Sequence, residues 1–143
     1  MPTYSKSVAA TAPAYQPEGQ DLAVAWNRVG LATGELTLNA VHPLVRLPRG
    51  AIVHDVVIKT TDMDTSTGLV LSVGVAGDTE RYIRRVSGQA AGTFRAGNDA
   101  TATASMIAAA ALTGETTVDL LIQAAATTPA AGTVDIAVFY TTE

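Results

Sequence analysis

The chain is 143 residues long, enough for one domain with a proper core. It carries a formal charge of −4, with only 15% charged and 5% aromatic residues against 48% hydrophobic. An acidic balance offers no basic field for a phosphate backbone, which argues against nucleic acid as a partner. No apolar run approaches a membrane span, the N-terminal residues lack the apolar core of a secretory signal, and the absence of cysteine removes disulfides, thiolate nucleophiles and Cys-type zinc sites.

Taken from the start, residues 1–19 (MPTYSKSVAATAPAYQPEG) hold Pro2, Pro13 and Pro17 and show no periodicity. They read as an extended arm ahead of a single domain at 20–143. Tyr4 and Tyr15 are its natural anchors on a partner, since tyrosine is favoured at interfaces.

From Gln20 the dominant signal has period two. Leu22, Val24 and Trp26 alternate with polar or small residues, which predicts a half-buried strand with Trp26 on its core-facing side. Leu36 and Leu38 repeat the alternation. Residues 51–61 (AIVHDVVIKTT) are β-branched on both faces and predict a central strand begun by the turn at Pro48, Arg49 and Gly50. Leu69, Leu71, Val73 and Val75 predict the next strand.

Residues 78–98 interrupt the pattern, and 79–86 read as one or two helical turns with Tyr82, Ile83 and Val86 facing inward. Residues 101–112 (TATASMIAAAAL) are rich in alanine yet alternate with threonine, and the expectation there is a strand. Val118, Leu120 and Ile122, then Val134, Ile136, Val138 and Tyr140, predict the last two. About eight short strands without strand–helix alternation predict an all-β fold, an antiparallel β-sandwich.

Few constellations suggest chemistry. Asp62-Met63-Asp64-Thr65-Ser66 begins like a calcium loop, but such a loop needs glycine at its sixth position and a bidentate carboxylate at its twelfth. Thr67 and Val73 stand there, so a polar connecting loop is expected. His42 and His54 lack partners at ligand spacing, and Asp55, next to His54, is expected on the opposite strand face. No serine lies in a G-x-S-x-G elbow. The stretch Gly74 to Asp78 is a turn and not a phosphate loop, because no helix follows it within a βαβ unit. Neither an enzyme nor a cofactor or metal site is expected.

The strongest contact signal is arginine. Arg81, Arg84, Arg85 and Arg95 are four of the nine basic residues and fall within fifteen positions. They read either as a solvated face or as a patch whose planar forks pair with carboxylates of another subunit, with Arg46 and Arg49 as possible extensions. So few charges also leave much of the surface to Ala, Thr and Val. Monomers avoid large apolar patches, so part of this surface is expected between subunits.

The middle and end of the chain resemble the head decoration, or cement, proteins of tailed bacteriophages. The resemblance runs through Leu47-Pro48-Arg49-Gly50-Ala51-Ile52-Val53, Asp62-Met63-Asp64-Thr65, Leu69-Val70-Leu71-Ser72-Val73-Gly74 and Gly77-Asp78-Thr79-Glu80-Arg81-Tyr82-Ile83. It includes the final hairpin, 120–126 and 131–141, and covers about two thirds of the chain. It implies a jelly-roll β-sandwich on the outside of an icosahedral head, made in the host cytoplasm. Its implied partners are the major capsid protein, whose neighbouring copies it bridges, and further copies of itself as a dimer or trimer. The competing expectation is a carbohydrate-binding or tail-fibre module, disfavoured by the low aromatic content.

Overall fold

The computed structural model describes residues 21–96 and 111–142. Eight strands form two four-stranded antiparallel sheets: β1 (Ala23–Leu31), β2 (Val41–Leu47), β3 (Ala51–Thr60), β4 (Val70–Val75), β5 (Asp78–Ser87), β6 (Gly92–Arg95), β7 (Thr116–Ala124) and β8 (Gly132–Thr142). One sheet runs β1-β8-β3-β6 and the other β2-β7-β4-β5. The chain crosses between sheets at nearly every step, and only the β4–β5 hairpin stays within one. That double Greek key is the jelly roll, so the expected β-sandwich of about eight strands is what the sequence forms.

The alternation in the late strands explains why they face each other. Val134, Ile136, Val138 and Tyr140 on β8 and Val118, Leu120 and Ile122 on β7 are fully buried. They meet Val56 and Ile58 of β3, Leu71 and Val73 of β4, and Leu44 and Leu47 of β2 in one apolar core. Each such side chain contributes roughly 1.5–3 kcal/mol on burial. Tyr140 is the largest side chain fully enclosed, and alanine at Ala51 and Ala23 lets the layers approach.

Several expectations need correction. Residues 79–86 are not helical. They lie in β5, whose register against β4 shifts between Leu71 and Val73 and again between Val73 and Val75. The shifts make Tyr82 and Ile83 face inward as neighbours, with Val86 packed behind them. An inward set at i, i+1 and i+4 mimics one face of a helix. The inward residues were therefore legible while the backbone was not.

Leu36 and Leu38 do not sit on a strand. A short 3₁₀ turn, Thr33–Glu35, precedes them, with Ala32 N–H donating to the Glu35 carboxylate at 3.0 Å. Leu36 is buried, whereas Leu38 is 59% exposed. The strand that follows, β2, carries His42 and Pro43 and so hides its alternation. Of the strand expected at 101–112, residues 101–110 lie outside the described residues, as do 1–20. Leu112 is described and lies beside the start of β3, where it exchanges backbone hydrogen bonds with Ala51 (2.9 Å) and Gly50 (2.8 Å).

Candidate interaction surface

In strand order, β5 and β6 lie together at one lateral edge of the sandwich, and β1 and β2 at the other. Arg81, Arg84 and Arg85 lie on β5 and Arg95 on β6, so the fold brings the four arginines to one edge. Arg46 lies on β2, at the opposite edge, and does not extend this group. Tyr4 and Tyr15, the expected anchors, fall outside the described residues.

Two of the four arginines already have carboxylate partners. Arg84 Nε lies 2.9 Å from Glu80, whose other carboxylate oxygen accepts from Gln123 Nε2 at 2.6 Å. Arg95 Nε donates to Asp55 Oδ2 at 2.6 Å, and this bond with the adjacent negative charge raises the guanidinium pKa further. Arg81 lies over the Tyr82 ring, 5.9 Å from its centroid, and the buried Tyr82 hydroxyl has its pKa pushed up by desolvation. Arg85 has a backbone φ of 48°, a left-handed conformation that side-chain-bearing residues rarely take. Its N–H donates to Ser72 Oγ at 3.2 Å, which holds the bulge in place and turns the side chain to solvent.

The loops at one end of the sandwich account for the calcium-loop mimic. Asp64 is completely buried and its two carboxylate oxygens accept four backbone N–H bonds, at 3.0–3.1 Å, from Ser66, Leu69, Thr127 and Thr128. Burial alone pushes the carboxyl pKa up, but the four donors outweigh that and hold it below the ordinary aspartate value. The charge is satisfied by the backbone, so the loop is a structural joint between the β3–β4 and β7–β8 connections.

The histidines are structural as well. His42 is buried and its Nε2 donates to the Glu35 carbonyl at 2.7 Å. His54 sits at a β-bulge between Val53 and Asp55, and its Nε2 meets Thr141 Oγ1 at 2.9 Å. The bulge puts His54 and Asp55 on the same outer face, correcting the expectation that they point apart. Among the described residues no three His, Cys, Asp or Glu side chains cluster as metal ligands. No helix there is long and apolar enough to cross a membrane.

A second surface was misread in the sequence. On β1 the inward positions are Ala23, Asn27, Val29 and Leu31, with Asn27 Nδ2 donating to the Leu44 carbonyl at 2.7 Å inside the core. Leu22, Val24 and Trp26 therefore face outward, and Trp26 is half-buried on the outer sheet face instead of in the core. Register places them beside Ala137 and Phe139 of β8, with Val57 of β3 beyond. Arg28, paired with Asp135 at 2.6 Å, closes this apolar area at one end. The large apolar residues are even-numbered up to Trp26 and odd-numbered at Val29 and Leu31, so the sequence shows a change of face without showing which face is inner.

No family model matches the sequence, and no curated protein does. Solved structures of bacteriophage capsids share its fold. A chain from the capsid of Ralstonia phage GP4 superposes with a TM-score of 0.80 at 18% identity, covering 99% of each chain. A chain from the capsid asymmetric unit of cyanophage Pam1 gives a TM-score of 0.70 at 29% identity over 92% of each. The acid-stable capsid of Helicobacter pylori bacteriophage KHP30 contributes a third, at 0.56 and 16%, over 86% of this chain and 93% of that one. The described residues thus form an eight-stranded jelly roll, and the chain is similar, over nearly its whole length, to chains in bacteriophage capsids.

Proposed function

We propose that this protein is a structural component of a bacteriophage virion, a decoration or cement protein that binds the outside of the head and bridges neighbouring major capsid proteins. The observation that carries the reading is the likeness to the cyanophage Pam1 capsid chain, 29% identical over 92% of both chains. The resemblance of the LPRGAIV, DMDT and GDTERYI segments to decoration proteins supports the finer assignment. The proposed role is non-enzymatic, a reading supported by the bonds that tie the histidines and Asp64 into the fold.

The mechanism is mass action. A protein that binds the assembled shell and not its loose subunits stabilises the shell by RT ln(1 + [L]/Kd) at each site, and the repeats of an icosahedral surface multiply that. Arg81 and Arg85 are the proposed salt-sensitive contacts, since Arg84 and Arg95 already have partners in the chain. A costly left-handed backbone under an exposed Arg85 is the kind of local strain retained where a side chain has a task. Residues 1–19, with Tyr4 and Tyr15, are the proposed second contact, and self-association the third. The half-buried outward Trp26 beside the Arg28–Asp135 pair supports a second reading, sugar binding.

Quantitative mass spectrometry of purified particles tests the assignment. We expect close to one copy per shell subunit, released by mild chaotrope while the shell persists. A few copies per particle, together with binding on a glycan array, favour the sugar-binding reading. Absence from particles overturns the virion role.

A further inference from the structure

Four strands end the two sheets, and three of them carry features that discourage another strand from adding. Strand β2 has Pro43 and a register shift beside it. Strand β5 is shifted twice, and β6 is only four residues long. Such shortness, bulges and proline are the usual protections of sheet edges. Strand β1 has none of them: its nine residues pair with β8 without a register shift, and among the described residues β8 is its only sheet partner.

In an antiparallel ladder, residues alternate between bonding the partner strand and facing away. Arg28 N–H is taken by Asn27 Oδ1 at 2.9 Å, which marks the even-numbered residues of β1 as those facing away from β8. The same residues, Leu22, Val24 and Trp26, present the outward apolar side chains. Backbone donors and an apolar stripe thus coincide on one segment, and Leu22 is 62% exposed.

We infer that the β1 edge, from Leu22 to Trp26, is a pairing surface for a second copy of this chain. The occupant follows from self-complementarity. An antiparallel two-fold centred on Val24 sets Val24 against its own copy and Leu22 against Trp26 of the other chain. Large apolar side chains then meet across the axis, as cross-strand pairs prefer. No unpaired charge is enclosed, because Arg28 falls outside the paired segment and is neutralised by Asp135. The joined sheet runs eight strands, β6-β3-β8-β1 and its mirror in order, and the two chains enter it at opposite ends. This deepens the self-association part of the proposed function, and its test needs no shell.

The test is the solution mass of the full chain across a dilution series, for wild type, Val24→Lys and Leu38→Lys. A pairing this small dissociates on dilution. We expect wild type at twice 14.7 kDa when concentrated. Val24→Lys places two ammonium groups at the axis and halves the mass at every concentration, while Leu38→Lys, on an exposed loop leucine, leaves the doubled mass intact. Circular dichroism checks that each variant is folded. A wild-type mass of one copy or of three, or equal effects of the two lysines, overturns the inference. Particle incorporation, measured separately, reports on the shell role: a wild-type chain that stays monomeric yet still incorporates overturns this pairing alone.

Discussion

The two lateral edges of the sandwich solve the same problem in opposite ways. At the β5–β6 edge the strands are bulged or short and carry arginine, so another strand finds neither a regular ladder nor an apolar stripe. At the β1 side the ladder is regular, and Arg28 within it is already paired with Asp135. An edge that resists strand addition suits side-chain contacts with a charged partner. A regular apolar edge suits main-chain pairing. The molecule has one of each, so its two surfaces differ in the chemistry of the partner they accept.

Glycine offers the sharpest way to break that comparison, and the largest effect. A Cβ at Gly74 would lie 2.2 Å from the Asp78 carbonyl oxygen and 2.5 Å from Thr79 C, because β5 folds closely over β4 there. Gly74→Val is expected to cost about 3 kcal/mol or more and to disrupt the β4–β5 hairpin, read by thermal unfolding. Gly30, on β1, has no atom within 4 Å of the same Cβ. Gly30→Ala should be neutral or stabilise by up to about 1 kcal/mol, since strand glycines lose more backbone entropy than alanine. Equal losses at both positions would mean that the β5 bulges are not the tight feature described.

Asp64 belongs to neither edge and calibrates both. Asp64→Ala leaves four buried N–H groups without their acceptor and should lower Tm by roughly 10 °C. Its folded pKa is depressed, so its contribution is complete above the unfolded value of 3.8 and is lost as pH falls from there through the lower folded value. Wild type should therefore lose stability below about pH 4, and Asp64→Asn should start less stable and fall less steeply over that window. A variant whose acid profile overlays wild type removes the joint from the account.

Smaller effects separate fold from contact at the arginine edge. Glu80→Ala removes both the Gln123 and Arg84 bonds and should cost about 1 kcal/mol. Arg85→Gly relieves a left-handed backbone, so Tm should hold or rise by a few degrees at most, while shell binding weakens and loses salt dependence. Unchanged binding with unchanged salt dependence would return Arg85 to the solvated face that a charge cluster usually is.

What the sequence revealed tracks where its alternation is clean. The faces of β7 and β8 followed from Val118 to Ile122 and Val134 to Tyr140, because nothing interrupts their period of two. Strand β5 was misread since two bulges place Tyr82 and Ile83 side by side, and β6 is too short to carry a period. On β1 the apolar residues occupy both faces, and a half-buried outer face cannot be told from a core by hydropathy alone. Which face is inner was decided by Asn27, whose amide found the Leu44 carbonyl across the sandwich. The arginine cluster was legible as a cluster. That Arg95 was already paired was not, because Asp55 lies forty residues from it, whereas Glu80, the partner of Arg84, is only four residues away.

The laced end of the sandwich has a mechanical consequence. Loops from both sheets are tied there: Asp64 holds Thr127 and Thr128, Met63 N–H reaches the Gly88 carbonyl, Gly88 N–H the Leu69 carbonyl, and Ala126 N–H the Leu36 carbonyl. A force that pries the sheets apart meets these ties as a clasp at this end, while the opposite end holds the one hairpin that stays within a sheet, the Ala76–Gly77 turn of β4 and β5. A sandwich laced in this way is stiffer at one end than at the other, so a sideways load is borne first by the Asp64 joint.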